Sequence, residues 1–229
     1  MKTIGIVGGV GPESTVDYYQ RIIKAFHVPG SLAAPEIIIY SVNLEEVLDL
    51  VGKREWNHLI YLLGAKIKSL HKAGAEFAVI SANTPHVVFD EVQAKSPIPL
   101  ISIVTATLDK AKELGVKKVG LLGTRFTMEE NFFSPPFAAS GISVVVPNPA
   151  DQAYIHQKLI DEIELGVFKD ETREGLLAIV KRMMETDAID AVILGCTELP
   201  LILQRDEFGI PFLNTTAIHV ESMVRFCLR

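Results

Sequence analysis

Two stretches of this chain repeat at nearly the same spacing, and that duplication limits the folds open to it. Ala78-Val79-Ile80-Ser81-Ala82-Asn83-Thr84 matches Ala191-Val192-Ile193-Leu194-Gly195-Cys196-Thr197 in register, as an apolar run, a small residue, a polar residue and a threonine. Lys2-Thr3-Ile4-Gly5-Ile6-Val7-Gly8-Gly9 pairs in the same way with Lys117-Lys118-Val119-Gly120-Leu121-Leu122-Gly123-Thr124. Two offsets that agree indicate one α/β unit used twice. Ligands in open α/β sheets bind outside the carboxyl ends of the strands, which is where both motifs fall. The expected site is a cleft that the two halves face.

Short runs rich in β-branched residues alternate with helical periodicity along the whole chain. Strands are predicted at 3–7, 36–42, 77–81, 100–103, 118–122, 142–146, 188–194 and 212–213. Between them Leu59, Leu62, Leu63, Ile67 and Leu70 recur at helical spacing, and 16–26, 105–114, 154–165 and 175–184 behave alike. This alternation implies a mainly parallel sheet. Pro97-Ile98-Pro99 and Gly209-Ile210-Pro211 mark the boundaries, giving a first α/β domain of 1–98 plus 211–229 and a second of 99–210. The last helix is expected to pack back on the first half.

With 229 residues, 48% of them hydrophobic, the chain can bury a sizeable core. A net charge of −6, with no basic cluster interleaved with aromatics, argues against a nucleic-acid or anionic-membrane partner and for a small-molecule ligand. The first apolar run is broken by Gly5, Gly8, Gly9 and Gly11 and ended by Pro12, so it lacks a signal-peptide core, and no run reaches transmembrane length. The chain reads as cytoplasmic. Its two cysteines are too few for a disulfide framework, and Cys227 lies in a terminal amphipathic pattern that suits a buried structural thiol.

Three segments carry chemistry. Gly8-Gly9-Val10-Gly11-Pro12-Glu13 follows a strand and opens a helix, but its spacing is not Gly-x-Gly-x-x-Gly, and the second strand ends in Ser41-Val42-Asn43 with no acid for a ribose. It reads either as a tight turn with positive φ or as backbone, Gly9 included, brought close to a carboxylate at a helix start. Gly195-Cys196-Thr197-Glu198-Leu199-Pro200 sets a cysteine after a buried strand and before a helix, where amides and the helix dipole would stabilise a thiolate. The plain alternative is a small apolar residue at a strand end, against which the flanking Thr197 and Glu198 weigh. Ala82-Asn83-Thr84-Pro85-His86 is the equivalent place in the first half. Asn83 and Thr84 read as a receptor for a carboxylate or an enediolate, or as a helix cap before Pro85, and His86 as a plain helix residue or a proton-transfer aid.

These segments, with Leu122-Gly123-Thr124-Arg125-x-Thr127-Met128-Glu129 and Thr215-x-Ala217-Ile218-His219, together resemble the aspartate/glutamate racemase superfamily over nearly the whole chain. The resemblance implies two pseudo-symmetric Rossmann-like α/β domains with an interdomain active site, no pyridoxal phosphate or other cofactor, no metal, and a homodimer. It implies proton transfer by cysteines on opposite faces of an amino acid's α-carbon. Cys196 would be one of them, with Asn83, Thr84, Thr124 and Thr197 holding the α-carboxylate, Glu198 orienting the loop and His86 assisting. The family's first cysteine falls at Ala82, which cannot carry a proton, so water, Ser81, Thr84 or His86 would serve that face. Single-cysteine relatives such as arylmalonate decarboxylases protonate an enediolate after carbon dioxide leaves, which is the alternative activity; a carboxylate-binding protein without turnover is a third. Aspartate-selective members carry a basic residue two positions before the glycine matching Gly166. Glu164 stands there and would repel a side-chain carboxylate, which leaves Lys53 and Arg54 as candidate distal partners.

Overall fold

The fold, given by a computed structural model describing all residues from Met1 to Arg229, forms two compact units, Met1–Ala106 with Thr216–Arg229, and Thr107–Thr215. In the first unit β1 (Ile4–Gly8), α1 (Pro12–Phe26), β2 (Ile37–Ser41), α2 (Leu44–Gly52), α3 (Trp56–Lys72) and β3 (Phe77–Ile80) follow in turn. A 3-10 turn (Thr84–Val88), α4 (Phe89–Ala94), β4 (Leu100–Ile101) and the start of α5 (Ile103–Glu113) complete its first pass. The second unit holds β5 (Lys118–Leu122), α6 (Arg125–Glu129), α7 (Ser134–Ala139), β6 (Ser143–Val145) and α8 (Pro149–Asp161). A 3-10 turn (Ile163–Leu165), α9 (Asp170–Asp187), β7 (Ala191–Leu194), α10 (Leu199–Ile202) and β8 (Phe212–Asn214) follow, and α11 (Thr215–Cys227) returns to the first unit.

The duplication is written into the sheets. Their strand orders are β2-β1-β3-β4 and β6-β5-β7-β8, and every pairing is parallel. Strands β1, β3 and β7 are buried along their whole length, which explains why β3 and β7 read as unbroken apolar runs rather than as alternation. The sequence boundaries need correcting. Leu100–Ile101 was assigned to the second domain and Phe212–Asn214 to the first, yet β4 pairs with β3 and β8 with β7, so each fourth strand stays with its own sheet. Hydrogen bonding across the sheet outweighs the prolines that punctuate the chain. Ile103 likewise leaves the predicted strand and opens α5.

The last helix does pack on the first unit: Val220, Met223 and Cys227 join Ile4, Ile6, Tyr18, Ile22, Phe77 and Val79 in one core. Cys227 is buried there, donating to the Lys2 carbonyl at 3.2 Å, as a structural thiol. The second core gathers Leu122, Ile155, Leu159, Leu176, Val180, Val192 and Leu194 with Cys196 at its margin. No helix is long and apolar enough to cross a membrane.

Candidate functional site

Parallel pairing puts the loops after β1 and β3 at one edge of the first sheet, and those after β5, β7 and β8 at one edge of the second. Every expected site residue except Lys53, Arg54 and Glu164 belongs to one of these loops. In the first unit Val7 is level with Ile80, so Gly9 and Ala82 start neighbouring turns. Gly9 has φ of +83°, and a Cβ there would come within 2.5 Å of the Val42 carbonyl oxygen, so glycine is required by both backbone and space. Its N–H donates to Thr15 Oγ1 at 2.9 Å. The tight-turn reading holds for Gly9, whose amide is already committed within the fold.

The turn after β3 is held by its carbonyls. The Ser81 carbonyl accepts from Ser14 Oγ at 3.0 Å, and the Ala82 carbonyl from His86 Nδ1 at 2.8 Å. Asn83 is buried and makes no side-chain cap bond to the 3-10 turn, so the helix-cap reading does not describe it, while Thr84 is half-buried at the head of that turn. Ser81 is sealed, its hydroxyl reaching the Val7 carbonyl and Thr15 Oγ1, each at 3.3 Å. His86, expected to assist proton transfer, has no nitrogen to offer: Nδ1–H serves Ala82, and Nε2 accepts from the Ile103 N–H at 3.2 Å. Its pKa is pushed down to about 3, first by burial and then by the neighbouring His219. Burial favours the neutral ring, and both its nitrogens are engaged with backbone groups. Arg54 lies in the exposed segment after α2 with φ of +56°, and Lys53 beside it pairs with Asp49 at 2.7 Å on the same helix.

In the second unit Leu122 is level with Leu194, which sets Thr124 and Cys196 at adjacent strand exits. Gly195 fits because its N–H donates to the Leu122 carbonyl at 2.7 Å, and a Cβ would meet that same oxygen at 2.9 Å. Thr124 caps α6, accepting from the Thr127 N–H at 3.3 Å. Thr215 Oγ1 donates to the Leu194 carbonyl at 2.8 Å and so ties the head of α11 to the strand that presents the cysteine.

Cys196 departs from expectation in its protonation. Its Sγ–H donates to Glu198 Oε2 at 3.0 Å, and Thr197 Oγ1–H donates to the same oxygen at 2.8 Å. Burial first, then the charge and hydrogen bond of Glu198, push the thiol well above its usual range. The Glu198 backbone amide pulls in the opposite direction, as expected of a loop entering a helix, but α10 is one turn long and the carboxylate outweighs it. The resting group is a thiol.

Glu164 was read only as a specificity residue, and the structure also brings it electrostatically close to this pair. Its carboxyl is pushed up to about 7, by partial desolvation and then by the charge of Glu198, and it adds to the upward pressure on Cys196. The turn that carries it is anchored by Glu162, whose carboxylate accepts from Lys158 at 2.6 Å, Lys169 at 3.1 Å and Thr172. Ser14 and Tyr18 were missed: both lie inside an ordinary amphipathic pattern, and only contacts distant in sequence give their hydroxyls a purpose. The pocket beside α10, lined by Phe168, Lys169, Arg173, Leu201 and Arg205 among others, contains no expected site residue. Its arginines converge on Glu207.

A sequence profile of the Asp/Glu/Hydantoin racemase family matches residues 7–223. The chain belongs to this family. It is 24% identical over 227 residues to the broad specificity amino-acid racemase RacX of Bacillus subtilis (strain 168), covering 96% of each chain. It is similar in structure to an aspartate racemase homologue from Pyrococcus horikoshii OT3, at 34% identity and a TM-score of 0.87 over 100% of both chains. The Picrophilus torridus aspartate racemase shares the fold, at 20% identity and a TM-score of 0.79 over 99% of this chain and 94% of that one. Racemases of this family are therefore among its relatives over nearly the whole chain.

Proposed function

We propose that this protein is an amino-acid racemase that works without pyridoxal phosphate, using Cys196 as its one proton-carrying thiol. The observation that carries the reading is the Cys196–Glu198 pair, a thiol sulfur 3.0 Å from a carboxylate oxygen at a strand exit. Family membership, together with relatives named as racemases, supplies the reaction class. In this reading the α C–H bond of a bound amino acid breaks and its proton passes to a base on the Ala82 face. The electron pair delocalises into the α-carboxylate, where Asn83, Thr84, Thr124 and Thr197 are assigned as partners. Cys196 then gives its proton to the α-carbon from the other side and is left as a thiolate beside Glu198. Proton exchange with solvent then restores the thiol and frees the base on the Ala82 face. With Ser81 and His86 committed to backbone groups, water or Thr84 serves the Ala82 face, so proton removal on that side is the slow step. The family resemblance also carries a homodimer, measurable by sedimentation, and the broken first apolar run supports a cytoplasmic location.

One observation favours a second reading. A lone thiol beside a carboxylate, in a chain with alanine where the family resemblance places the other cysteine, suits delivery of a proton to an enediolate, which is what a single-cysteine decarboxylase of the arylmalonate type requires. Incubating the protein with L- and D-amino acids in deuterated water separates the two. Deuterium at the α-carbon, lost in Cys196→Ser, supports the racemase. Absence of exchange, with carbon dioxide released from an arylmalonate, sinks it in favour of the decarboxylase.

A further inference from the structure

We propose that His86, His219 and Tyr18 form a buried brace that aims the Ala82-Asn83-Thr84 turn, making all three positioning residues for the substrate carboxylate; this rests on the racemase reading above. All three side chains are buried in the first unit. Tyr18 OH meets His219 Nδ1 at 2.8 Å, and His219 Nε2 meets the Ile101 carbonyl at 2.9 Å. Two residues on, the Ile103 N–H meets His86 Nε2 at 3.2 Å, and His86 Nδ1 meets the Ala82 carbonyl at 2.8 Å. The rings of His86 and His219 touch edge to face, with centroids 6.2 Å apart, and Phe89 stacks on His86 at 5.0 Å.

The direction of every bond in this chain is determined. A carbonyl only accepts, so His219 Nε2 and His86 Nδ1 are the donors; a backbone N–H only donates, so His86 Nε2 accepts. Both rings being neutral, His219 Nδ1 accepts and Tyr18 donates. One tautomer of each ring satisfies all four contacts.

The consequence falls on the turn. The backbone has no cis peptide, and a trans peptide is planar with its carbonyl and following N–H opposed. Aiming the Ala82 carbonyl at His86 therefore aims the Asn83 N–H the other way. Ser14 Oγ does the same for the preceding peptide by holding the Ser81 carbonyl. Ser14 of α1, and His86 backed by His219 of α11, thus set two successive peptide planes from within the unit's core. A turn misaimed by about an ångström loses much of a positioned donor's effect.

The test uses His86→Leu, His86→Asn and, as a stability control, Leu70→Ala, which opens the same unit's core at the end of α3 that precedes β3, the strand whose far end carries the turn. Asparagine places an amide donor where Nδ1 sits and can restore the Ala82 contact; leucine restores nothing. His86→Leu is expected to raise KM about tenfold or more with a smaller change in kcat, and to speed amide exchange in the peptide spanning residues 81–86. His86→Asn should recover most of both effects, and Leu70→Ala should show neither. If His86→Leu behaves like Leu70→Ala, or if local exchange rises without a change in KM, the brace is packing alone and the inference fails. Should the parent exchange no amino-acid α-proton, the racemase reading falls separately, and malonate affinity by calorimetry replaces KM. Weaker malonate binding in His86→Leu then upholds the brace; absent or equal binding overturns it.

Discussion

The Cys196 thiol donates to the Glu198 carboxylate two residues further along the same loop, at 3.0 Å. A carboxylate in that place stabilises the protonated sulfur and opposes the thiolate, so the residue that orients the cysteine also decides when it can act as a base. Neutralising it should release the thiolate. Glu198→Gln is expected to lower the Cys196 pKa and to speed its alkylation by iodoacetamide about tenfold at a mildly alkaline pH. Peptide mapping separates Cys196 from Cys227. An unchanged rate against pH would show that burial alone holds the proton.

Ala82 stands where the family resemblance places a second thiol. It is 6% exposed, beside a carbonyl already fixed by His86, so an added side chain meets a rigid backbone. Ala82→Cys is expected to raise inversion over the parent, and each tenfold gain corresponds to about 1.4 kcal/mol off the barrier. Exchange and inversion should be measured from both enantiomers. A folded variant that inverts nothing faster would argue that the site is built for one-sided protonation.

Glu164 has the Glu198 charge close by, and no lysine relieves it, because Lys158 and Lys169 are both held by Glu162. A substrate with a distal carboxylate would add a further negative charge. Glu164→Lys should therefore raise kcat/KM for aspartate relative to a neutral amino acid by about tenfold or more. A ratio that does not move places Glu164 outside the substrate's reach.

His86 and His219 link stability to pH. Each titrates near 6.5 in an unfolded chain, and in the fold burial lowers them to about 3 and about 4. Below about 6.5 the unfolded chain takes up protons that the folded chain refuses, so this stability is complete above that pH and is lost as pH falls towards the folded values. Within the window each ring costs about 1.4 kcal/mol per pH unit. Glu162, held at about 2 by Lys158 and Thr172, loses its contribution only in stronger acid. Urea midpoints measured from neutral pH down to about pH 5 should fall steadily, and a flat profile would mean that the rings charge without disturbing the fold.

The duplication, the eight strands and the cysteine loop were legible because each is local: an apolar run, a glycine at a strand exit, a thiol before a helix turn. Strand membership was not. Leu100–Ile101 and Phe212–Asn214 are too short to declare a partner, and pairing with β3 and β7 assigned them. The candidate site divides in the same way. Residue types at positions 82–86 and 195–198 suggested carboxylate and proton chemistry, but protonation depends on burial and on neighbours that spacing does not reveal. Glu198 could equally have lain away from the sulfur, and His86 could have faced solvent. Tertiary packing decided both, holding Cys196 as a thiol beside a carboxylate and closing both His86 nitrogens onto backbone, because desolvation and hydrogen-bond partners exist only once the chain has folded.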